Sequence, residues 1–509
     1  MVIILKRSKL FLMNGIILTL TTLLMRSVGF IFNIYVAKKV GSEAIGVFEL
    51  VMSVYLFAIT FATSGISLAC TCIVSEELEK KNYNTVIKTA KTCILFSAVL
   101  GITSTLLIIL FAPIICNVWL KSQIDCTPIY SIALGLHLIA VSSVIGGFFN
   151  AIGKPYKNSI SQVFEFVVKI IATLVLLKLF FTNQIGHICT LLILADVISE
   201  VASFTLNIIF YNIEKNKIYI NRNIVTKPYK KILKISFPVA ITSYIRSGLS
   251  SFKQFLIPIS LEKSGISYAL ALSNYGMIHG MVIPILMFFT VFISSFSNLL
   301  VPEFSRLLAG ENHKRMKTIT EIIFKNTFIF SIFIASGLFF FSSEISYLIY
   351  QDSSCSNWIK ILSPLVVFMY VDNIIDNLLK GINEPFKVMC CNILDLITTI
   401  IILYFLVPIL GMKGYIFSIY VSEILNFTVS SFQLKEKIPF KISLKKYIFL
   451  PILASIISYY STSLFVFNFN NFTWYVISKL LIFFVIYLLI IIFCYFIKKH
   501  LNDFKYKAN

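Results

Sequence analysis

Charge is what this sequence has least of. Only 13% of its 509 residues are Asp, Glu, Lys or Arg, whereas 58% are hydrophobic. A soluble domain is usually about a quarter charged. The composition therefore excludes an ordinary soluble domain and predicts a membrane protein that crosses the bilayer many times.

Metal-binding cysteine patterns and long polar loops are also lacking. The closest cysteines are Cys70 with Cys72 and the adjacent Cys390 and Cys391, and neither spacing suits a zinc site. Every stretch between apolar segments is shorter than about 25 residues, which is too short for a catalytic domain. We therefore expect no metal, no other cofactor and no enzymatic activity.

Fourteen apolar segments alternate with short polar stretches. A helix of about 20 residues crosses a hydrocarbon core of about 30 Å, so each segment is long enough for one transmembrane helix. The sequence predicts an all-α polytopic membrane protein. The predicted spans lie approximately at 10–36, 44–73, 86–116, 127–152, 157–181, 186–212, 231–260, 267–300, 318–342, 358–380, 386–408, 412–434, 446–467 and 473–497.

The net charge of +21 could indicate a nucleic-acid partner, but the basic residues are sorted by loop. With the N-terminus inside, about 31 of the 44 Lys and Arg residues fall in cytoplasmic loops and tails, and about 7 fall outside. The charge therefore indicates topology first and contact with anionic lipids second. We expect both termini to be cytoplasmic and no nucleic acid to bind.

The two halves of the chain repeat each other. Residues 151–157 (AIGKPYK) match residues 381–387 (GINEPFK) at an offset of 230. Arg26-Ser27 matches Arg246-Ser247 at an offset of 220, and Ser75-Glu76 matches Pro302-Glu303 at an offset of 227. Two six-helix copies in the same membrane orientation are parallel repeats. The predicted divisions are an N-lobe at 1–212, a basic cytoplasmic linker at 213–230, a C-lobe at 231–434, and two extra helices with a tail at 435–509.

Two arginines occupy equivalent places in the first helix of each predicted lobe, Arg26 and Arg246. An arginine in the middle of a membrane helix costs about 3 kcal/mol, so it should face a protein cavity or a partner. Lys253 lies two turns beyond Arg246 on the same helix face. We predict a central substrate site of Arg26, Arg246, Lys253 and Glu49. The alternative is that each arginine packs against an acid such as Glu49 or Asp372.

Acidic residues within the spans are candidates for coupling transport to an ion or a proton. Asp196 and Glu200 are like charges at i,i+4 and would repel each other without a cation or proton between them. Asp372 and Asp376 form a second acidic pair on one helix face. Two other acids have a simpler structural explanation, because Glu165 precedes Lys169 and Asp376 precedes Lys380 at the spacing of a helical ion pair.

One stretch of the sequence resembles the first-helix signature of the polysaccharide-biosynthesis branch of the multidrug/oligosaccharidyl-lipid/polysaccharide (MOP) exporters. It contains Gly15, Arg26, Gly29, Ala37, Gly41 and Gly46. Residues 46–55, 63–67 and 75–78 extend the likeness, which covers essentially the whole chain. It is nearest to the sporulation members, relatives of the lipid II flippases.

The resemblance implies a flippase that moves an undecaprenyl-pyrophosphate-linked saccharide across the membrane by alternating access. In the sporulation members that substrate would be a peptidoglycan precursor for the spore cortex. Guanidinium groups bind pyrophosphate oxygens in a forked geometry, which suits Arg26 and Arg246. The chain has fewer in-membrane arginines than lipid II flippases usually carry, so another polyprenyl-linked sugar is equally open.

The resemblance also implies that the last two helices form a groove for the lipid tail. The expected partners are the lipid-linked saccharide and membrane lipids, with cell-wall synthesis proteins as further candidates, and we expect a monomer. Two alternatives stay open at this point. One is a multidrug or cation antiporter of the same fold, and the other is a flippase for a different cell-surface polysaccharide unit.

Overall fold

The computed structural model describes residues 21, 23–120, 125–217, 228–441, 443, 445–465 and 471–507. These residues form helices and the short turns that join them, and no strand occurs among them. The predicted all-α class is confirmed.

Twenty helices follow one another along the described chain. They are α1 (23–40), α2 (Ser42–Thr63), α3 (Ile66–Glu79), α4 (Tyr83–Ile114), α5 (Thr127–Ala151), α6 (Pro155–Phe180), α7 (Ile185–Lys215), α8 (Tyr229–Lys263), α9 (Tyr268–Gly276), α10 (Ile283–Met287), α11 (Thr290–Ala309), α12 (His313–Phe340), α13 (Ser342–Tyr350), α14 (Ser356–Leu362), α15 (Leu365–Gly381), α16 (Pro385–Phe405), α17 (Val407–Leu410), α18 (Met412–Lys437), α19 (Leu450–Ser463) and α20 (Phe472–Lys507). Short π-helical turns occupy Ile115–Trp119, Met277–Val282 and Lys445–Phe449.

Eight of the helical stretches are both long and apolar enough to cross a membrane, or nine if the bent pair α14–α15 is one span, counted over the described residues. Each of the predicted segments overlaps a described helix, the first of them from residue 21 onward. Some of these helices are less apolar because charged residues interrupt them, as Glu165 and Lys169 interrupt α6. The chain is a polytopic membrane protein, and the count of fourteen spans stays a prediction.

The chain forms two compact units. Unit 1 comprises the residues up to Gly280 together with Leu403–Gly411, and unit 2 comprises Met281–Ile402 and the residues from Met412 onward. Helices α8 and α9 therefore lie in unit 1, where the Tyr244 hydroxyl donates to the Phe61 carbonyl at 3.0 Å. The predicted N-lobe and C-lobe divide the chain by its sequence repeat and not by these contacts. That division stays a prediction.

The repeated motif forms the same turn in both units. Gly153 and Asn383 adopt positive φ angles of 71° and 66°. Each donates its N–H to the carbonyl three residues earlier, at 3.1 and 3.2 Å. The next residues, Lys154 and Glu384, each donate to the carbonyl five residues earlier at 2.9 Å. The sequence match at an offset of 230 is therefore a match of backbone geometry.

A second pair of turns repeats in the same way. Between α3 and α4, Lys81 has a φ of 60°, and between α11 and α12, Glu311 has a φ of 52°. Both donate to the carbonyl three residues earlier at 3.0 Å. Asn82 and Asn312 then donate five residues back, at 2.9 and 3.0 Å. These turns also correspond at an offset of 230. The predicted offset of 227 at this place is therefore wrong by three residues. A shift of three residues keeps helical side chains on nearly the same face, so the two alignments look alike in the sequence.

Candidate substrate and coupling sites

Arg26 and Arg246 are exposed side chains on α1 and α8 respectively. Within the described part of the chain, neither guanidinium has an ion-pair or hydrogen-bond partner. The described residues therefore do not show the alternative, in which each arginine packs against an acid such as Glu49 or Asp372. Both guanidinium groups are available to an anionic ligand.

The other two predicted substrate residues lie close to the same elements. Lys253 is partly buried and lies two turns beyond Arg246 on α8, which is one continuous helix. Glu49 is partly buried on α2, where its Cγ would lie 3.8 Å from a Cβ added to Gly280. It is also within electrostatic range of Lys169 on α6.

Asp196 and Glu200 are both buried on α7, but each has its own partner. The Lys169 ammonium lies 2.5 Å from Oδ1 of Asp196. The Tyr55 hydroxyl donates a hydrogen bond to Oε1 of Glu200. Each acid therefore has a partner of its own, a lysine of the facing helix for Asp196 and a tyrosine for Glu200, and their role in coupling stays a prediction.

The same ion pair corrects a second prediction. Lys169 was expected to pair with Glu165, four residues before it on α6, and it pairs with Asp196 instead. A buried carboxylate across a helix interface has a greater need of a counter-charge than a half-buried one on the same helix. Local helical spacing could not reveal this competitor.

A polar cavity of about 420 Å³ opens inside unit 1 beside Glu200. Exposed side chains, Asn150 and Gln162, lie at one end, and buried side chains, Ser203 and Asn207, lie deeper. The full lining is Ile59, Ser67, Ile139, Ser142, Ser143, Gly146, Gly147, Asn150, Asn158, Gln162, Glu165, Glu200, Ser203 and Asn207. We call this the polar cavity.

Two residues that line the polar cavity each have a buried oxygen with no hydrogen-bond partner among the described residues, Oε2 of Glu200 and Oδ1 of Asn207. The two residues are only 8% and 3% exposed. Glu200 fits where it does because residue 135 is glycine, since a Cβ there would lie 2.1 Å from Oε2. The sequence interpretation missed Tyr55 and Asn207, although four amide side chains within three apolar helices were a visible signal.

The acidic residues of unit 2 form a hydrogen-bonded group. Asp372 on α15 is buried and accepts a hydrogen bond from Nδ2 of Asn426 on α18 at 2.7 Å. Asp395 on α16 accepts one from the Ser422 hydroxyl at 2.5 Å. Asp376 lies one turn beyond Asp372 on α15 and is partly exposed, and the two carboxylates interact electrostatically. The predicted acidic pair is thus joined by a third carboxylate from another helix.

Ion pairs fasten the repeated turn of unit 1 to the end of α7. The ammonium groups of Lys154 and Lys157 lie 2.5 and 2.6 Å from the two oxygens of Glu214. The Glu214 side chain is only 5% exposed. The pairing is therefore largely withdrawn from solvent.

The repeated turn of unit 2 has the same arrangement at the surface. Lys387 lies 2.8 Å from Glu436, and Lys437 lies 2.7 Å from Glu384. Hydrogen bonds from these lysines hold the pKa of both glutamates below the usual range. The side chain of Glu436 is 61% exposed, in contrast to the buried acid of unit 1.

An apolar cavity of about 550 Å³ lies within unit 2. Helices α12, α15 and α19 contribute most of its lining, including Phe328, Val367 and Ile452. Its size falls within the usual range of small-molecule pockets. Because α19 corresponds to the first of the two appended helices, this is the apolar feature nearest to the expected tail groove.

Comparison with known families now gives the class of the protein. A family described as polysaccharide biosynthesis protein matches residues 11–288, more than half of the chain, and the family called MatE matches residues 278–405. The protein is a membrane transporter of the MOP superfamily. Within that superfamily, the chain belongs to the polysaccharide biosynthesis protein family.

Individual relatives agree with this assignment. Stage V sporulation protein B of Bacillus subtilis (strain 168) is 22% identical over 86% of each chain. Lipid II flippase MurJ of the same organism is 28% identical over 34% of each chain. The predicted resemblance to the flippase branch, nearest to its sporulation members, is confirmed. One of these relatives is named a flippase, and together they support a multi-pass bacterial membrane protein.

Solved structures show the same fold. Lipid II flippase MurJ in an inward closed conformation has a TM-score of 0.65 at 17% identity, and the match covers 93% of this chain and 98% of that one. A multidrug resistance MATE family transporter in an inward-facing conformation also has a TM-score of 0.65, at 15% identity, over 81% of this chain and 94% of that one.

Proposed function

We propose that this protein is a flippase that carries an undecaprenyl-pyrophosphate-linked saccharide to the outer leaflet by alternating access. The observation that supports this most is the pair of exposed arginines, Arg26 and Arg246, at matching positions of the sequence repeat in a chain from a polysaccharide-biosynthesis family. The relative named lipid II flippase and the relative named for sporulation favour a peptidoglycan precursor, used for the spore cortex.

The two arginines bind the pyrophosphate. An unpaired guanidinium in a membrane helix costs about 3 kcal/mol, so it is retained where a ligand compensates for that cost. Pyrophosphate presents closely spaced anionic oxygens that a guanidinium can bind with two parallel hydrogen bonds. Lys253 adds a further positive charge on α8, and Glu49 orients the site through its interaction with basic neighbours.

Alternating access takes place between the N-lobe, residues 1–212, and the C-lobe, residues 231–434, with both termini in the cytoplasm. The apolar cavity of unit 2 takes part of the polyprenyl tail, because α19 lines it and its lining is almost entirely hydrocarbon. Coupling to an ion or proton is assigned to Asp372 and Asp376, where acids from two helices meet. Asp196, paired with Lys169, and Glu200, bound by Tyr55, are the second candidate pair for coupling.

The test is direct binding of a lipid-linked pyrophosphoryl disaccharide to the purified protein in detergent. We expect Arg26→Ala and Arg246→Ala each to weaken binding by roughly tenfold or more, as expected for the loss of a charge-assisted contact. Arg306→Ala, which removes an exposed arginine near the end of α11, is the matched control and should bind normally.

Unchanged affinity in both arginine variants would remove these residues from the site. An absence of binding by the unaltered protein, together with proton- or sodium-dependent uptake of an organic cation that requires Asp372, would establish the antiporter alternative. A preference for a different lipid-linked polysaccharide unit over the peptidoglycan disaccharide would keep the flippase and change its substrate.

A further inference from the structure

We propose that the polar cavity of unit 1 binds the saccharide portion of the transported lipid. This inference rests on the proposed function and adds to it a second subsite, separate from the arginines that bind the pyrophosphate. The subsite is formed by α5, α6 and α7 with contributions from α2 and α3, and its deepest polar residues are Glu200, Ser203 and Asn207.

The chemistry of the lining selects a neutral ligand with many hydroxyl groups. The lining contains four amide side chains, four serines and two glutamates, and no lysine or arginine is among the described residues that form it. A phosphate would meet Glu165 and Glu200 and be repelled. A sugar has no charge to repel, and its hydroxyl and acetamido groups both donate and accept hydrogen bonds.

The unpaired oxygens call for hydrogen-bond donors. Oε2 of Glu200 and Oδ1 of Asn207 are buried acceptors without a partner in the described chain. A buried polar atom left unsatisfied is costly, and water or a ligand hydroxyl removes that cost. Neither oxygen is accessible to a water molecule in this structure, so a small rotation of each side chain into the cavity would let sugar hydroxyls donate to it.

The spacing of these two oxygens separates a sugar from a single metal ion. Glu200 and Asn207 are seven residues apart on α7, about 10 Å along the helix axis. The Glu200 carboxylate lies against Gly135 of α5, and Tyr55 holds its other oxygen. One cation with ligands at about 2.3–2.6 Å cannot reach both positions. A mono- or disaccharide presents hydroxyls at this separation, and a cavity of about 420 Å³ is large enough for a small ligand.

The lining of the cavity includes both exposed and buried polar side chains. Asn150 and Gln162 are exposed, Asn158 is half-buried, and Glu200 and Asn207 are buried. Gly146 and Gly147 of α5 let the neighbouring helices pack closely beside the cavity, because an added Cβ would lie 2.9 Å from Oδ1 of Asn158 and 2.6 Å from the Ser67 carbonyl oxygen, respectively.

The experiment compares two ligands on the full-length protein in detergent, undecaprenyl pyrophosphate alone and undecaprenyl pyrophosphate bearing a disaccharide. The unaltered protein should bind the saccharide-bearing lipid more tightly. Glu200→Gln and Asn207→Leu should each reduce that preference by roughly three- to tenfold, the effect of losing one or two hydrogen bonds. Neither should change the affinity for undecaprenyl pyrophosphate alone. Asn326→Leu, at an exposed amide of α12, is the matched control.

Each outcome separates this inference from the function on which it rests. Arginine variants that lose both ligands while Glu200→Gln and Asn207→Leu keep the full preference would overturn the saccharide subsite and leave the flippase intact. Equal binding of the two lipids by the unaltered protein would also overturn it. If a substitution in the cavity changes only how lipid binding differs between sodium and choline buffers, the cavity would be assigned to a cation and not to a sugar. Thermal unfolding of each variant excludes misfolding as the cause.

Discussion

The region of α5–α7 in unit 1 and the region of α15–α18 in unit 2 share a turn and differ in what fills their polar interiors. Gly153 and Asn383 give both turns the same backbone geometry. In unit 1 Glu200 and Asn207 line an open polar cavity, whereas in unit 2 Asp372 and Asp395 each accept a hydrogen bond from a neighbouring amide or hydroxyl, with Oδ1 of Asp372 left unpaired among the described residues. Duplication has preserved the connection between helices and left the interior chemistry free to diverge.

The ion pairs beside the two turns differ in the same sense. Glu214 in unit 1 is buried and bound by three lysines, and Glu436 in unit 2 is exposed and bound by one. A buried carboxylate depends on its partners far more than an exposed one does. The comparison predicts that equivalent substitutions in the two units will have unequal effects.

The largest expected effect comes from Lys169→Met in unit 1. This change leaves the buried Asp196 without its counter-charge and should reduce the free energy of unfolding by about 3 kcal/mol. Adding Asp196→Asn should recover most of that loss. Chemical denaturation in detergent measures the stability of the single and the double variant. A Lys169→Met variant as stable as the unaltered protein would contradict the ion pair between Lys169 and Asp196.

The second test compares equivalent lysines. Lys157→Ala removes one of the three cations that bind the buried Glu214 and should cost about 2 kcal/mol, less than a full buried pair because Lys154 and Lys217 remain. Lys387→Ala, at the matching position of unit 2, should cost much less because its partner is exposed. Equal losses in the two variants would contradict the difference in burial.

A third test adds one methyl group in each unit. Gly135→Ala places a Cβ within 2.1 Å of Glu200 Oε2 and should cost about 1–3 kcal/mol while weakening the preference for the saccharide-bearing lipid. Gly337→Ala on α12 meets its nearest atom, Cε1 of Phe483, at 3.8 Å. That variant should be neutral or slightly more stable, because alanine favours a helix over glycine. Thermal unfolding and lipid binding distinguish them.

The smallest expected effect concerns acid stability at the unit 2 turn. The pKa values of Glu384 and Glu436 are lowered by hydrogen bonds from Lys437 and Lys387. The stabilisation from these pairs is present above the ordinary glutamate pKa of 4.5 and is lost as the pH falls through the lowered values. The double change Glu384→Gln and Glu436→Gln should slightly reduce stability at neutral pH and flatten its decline in acid. If the double variant loses stability in acid as steeply as the unaltered protein does, groups other than Glu384 and Glu436 cause that loss.

Much of the fold could be predicted from the sequence because membrane helices leave a strong one-dimensional signal. Apolar length located the helices, and the motif at residues 151–157 located a repeat that the structure reproduces bond by bond. The predicted pairing of Glu165 with Lys169 was wrong because the true partner, Asp196, comes from another helix. The polar cavity was missed for the same reason, since only the packing of α5 against α7 shows that Gly135 leaves room for Glu200.

The most direct test of the central claim is transport in liposomes. Purified protein is reconstituted with a fluorescent lipid-linked pyrophosphoryl disaccharide, and a membrane-impermeant quencher reports how much reaches the outer leaflet. We predict transport by the unaltered protein and by Arg306→Ala, and strongly reduced transport by Arg26→Ala and by Arg246→Ala. Transport at the unaltered rate in both arginine variants would contradict the assignment of these residues to the pyrophosphate.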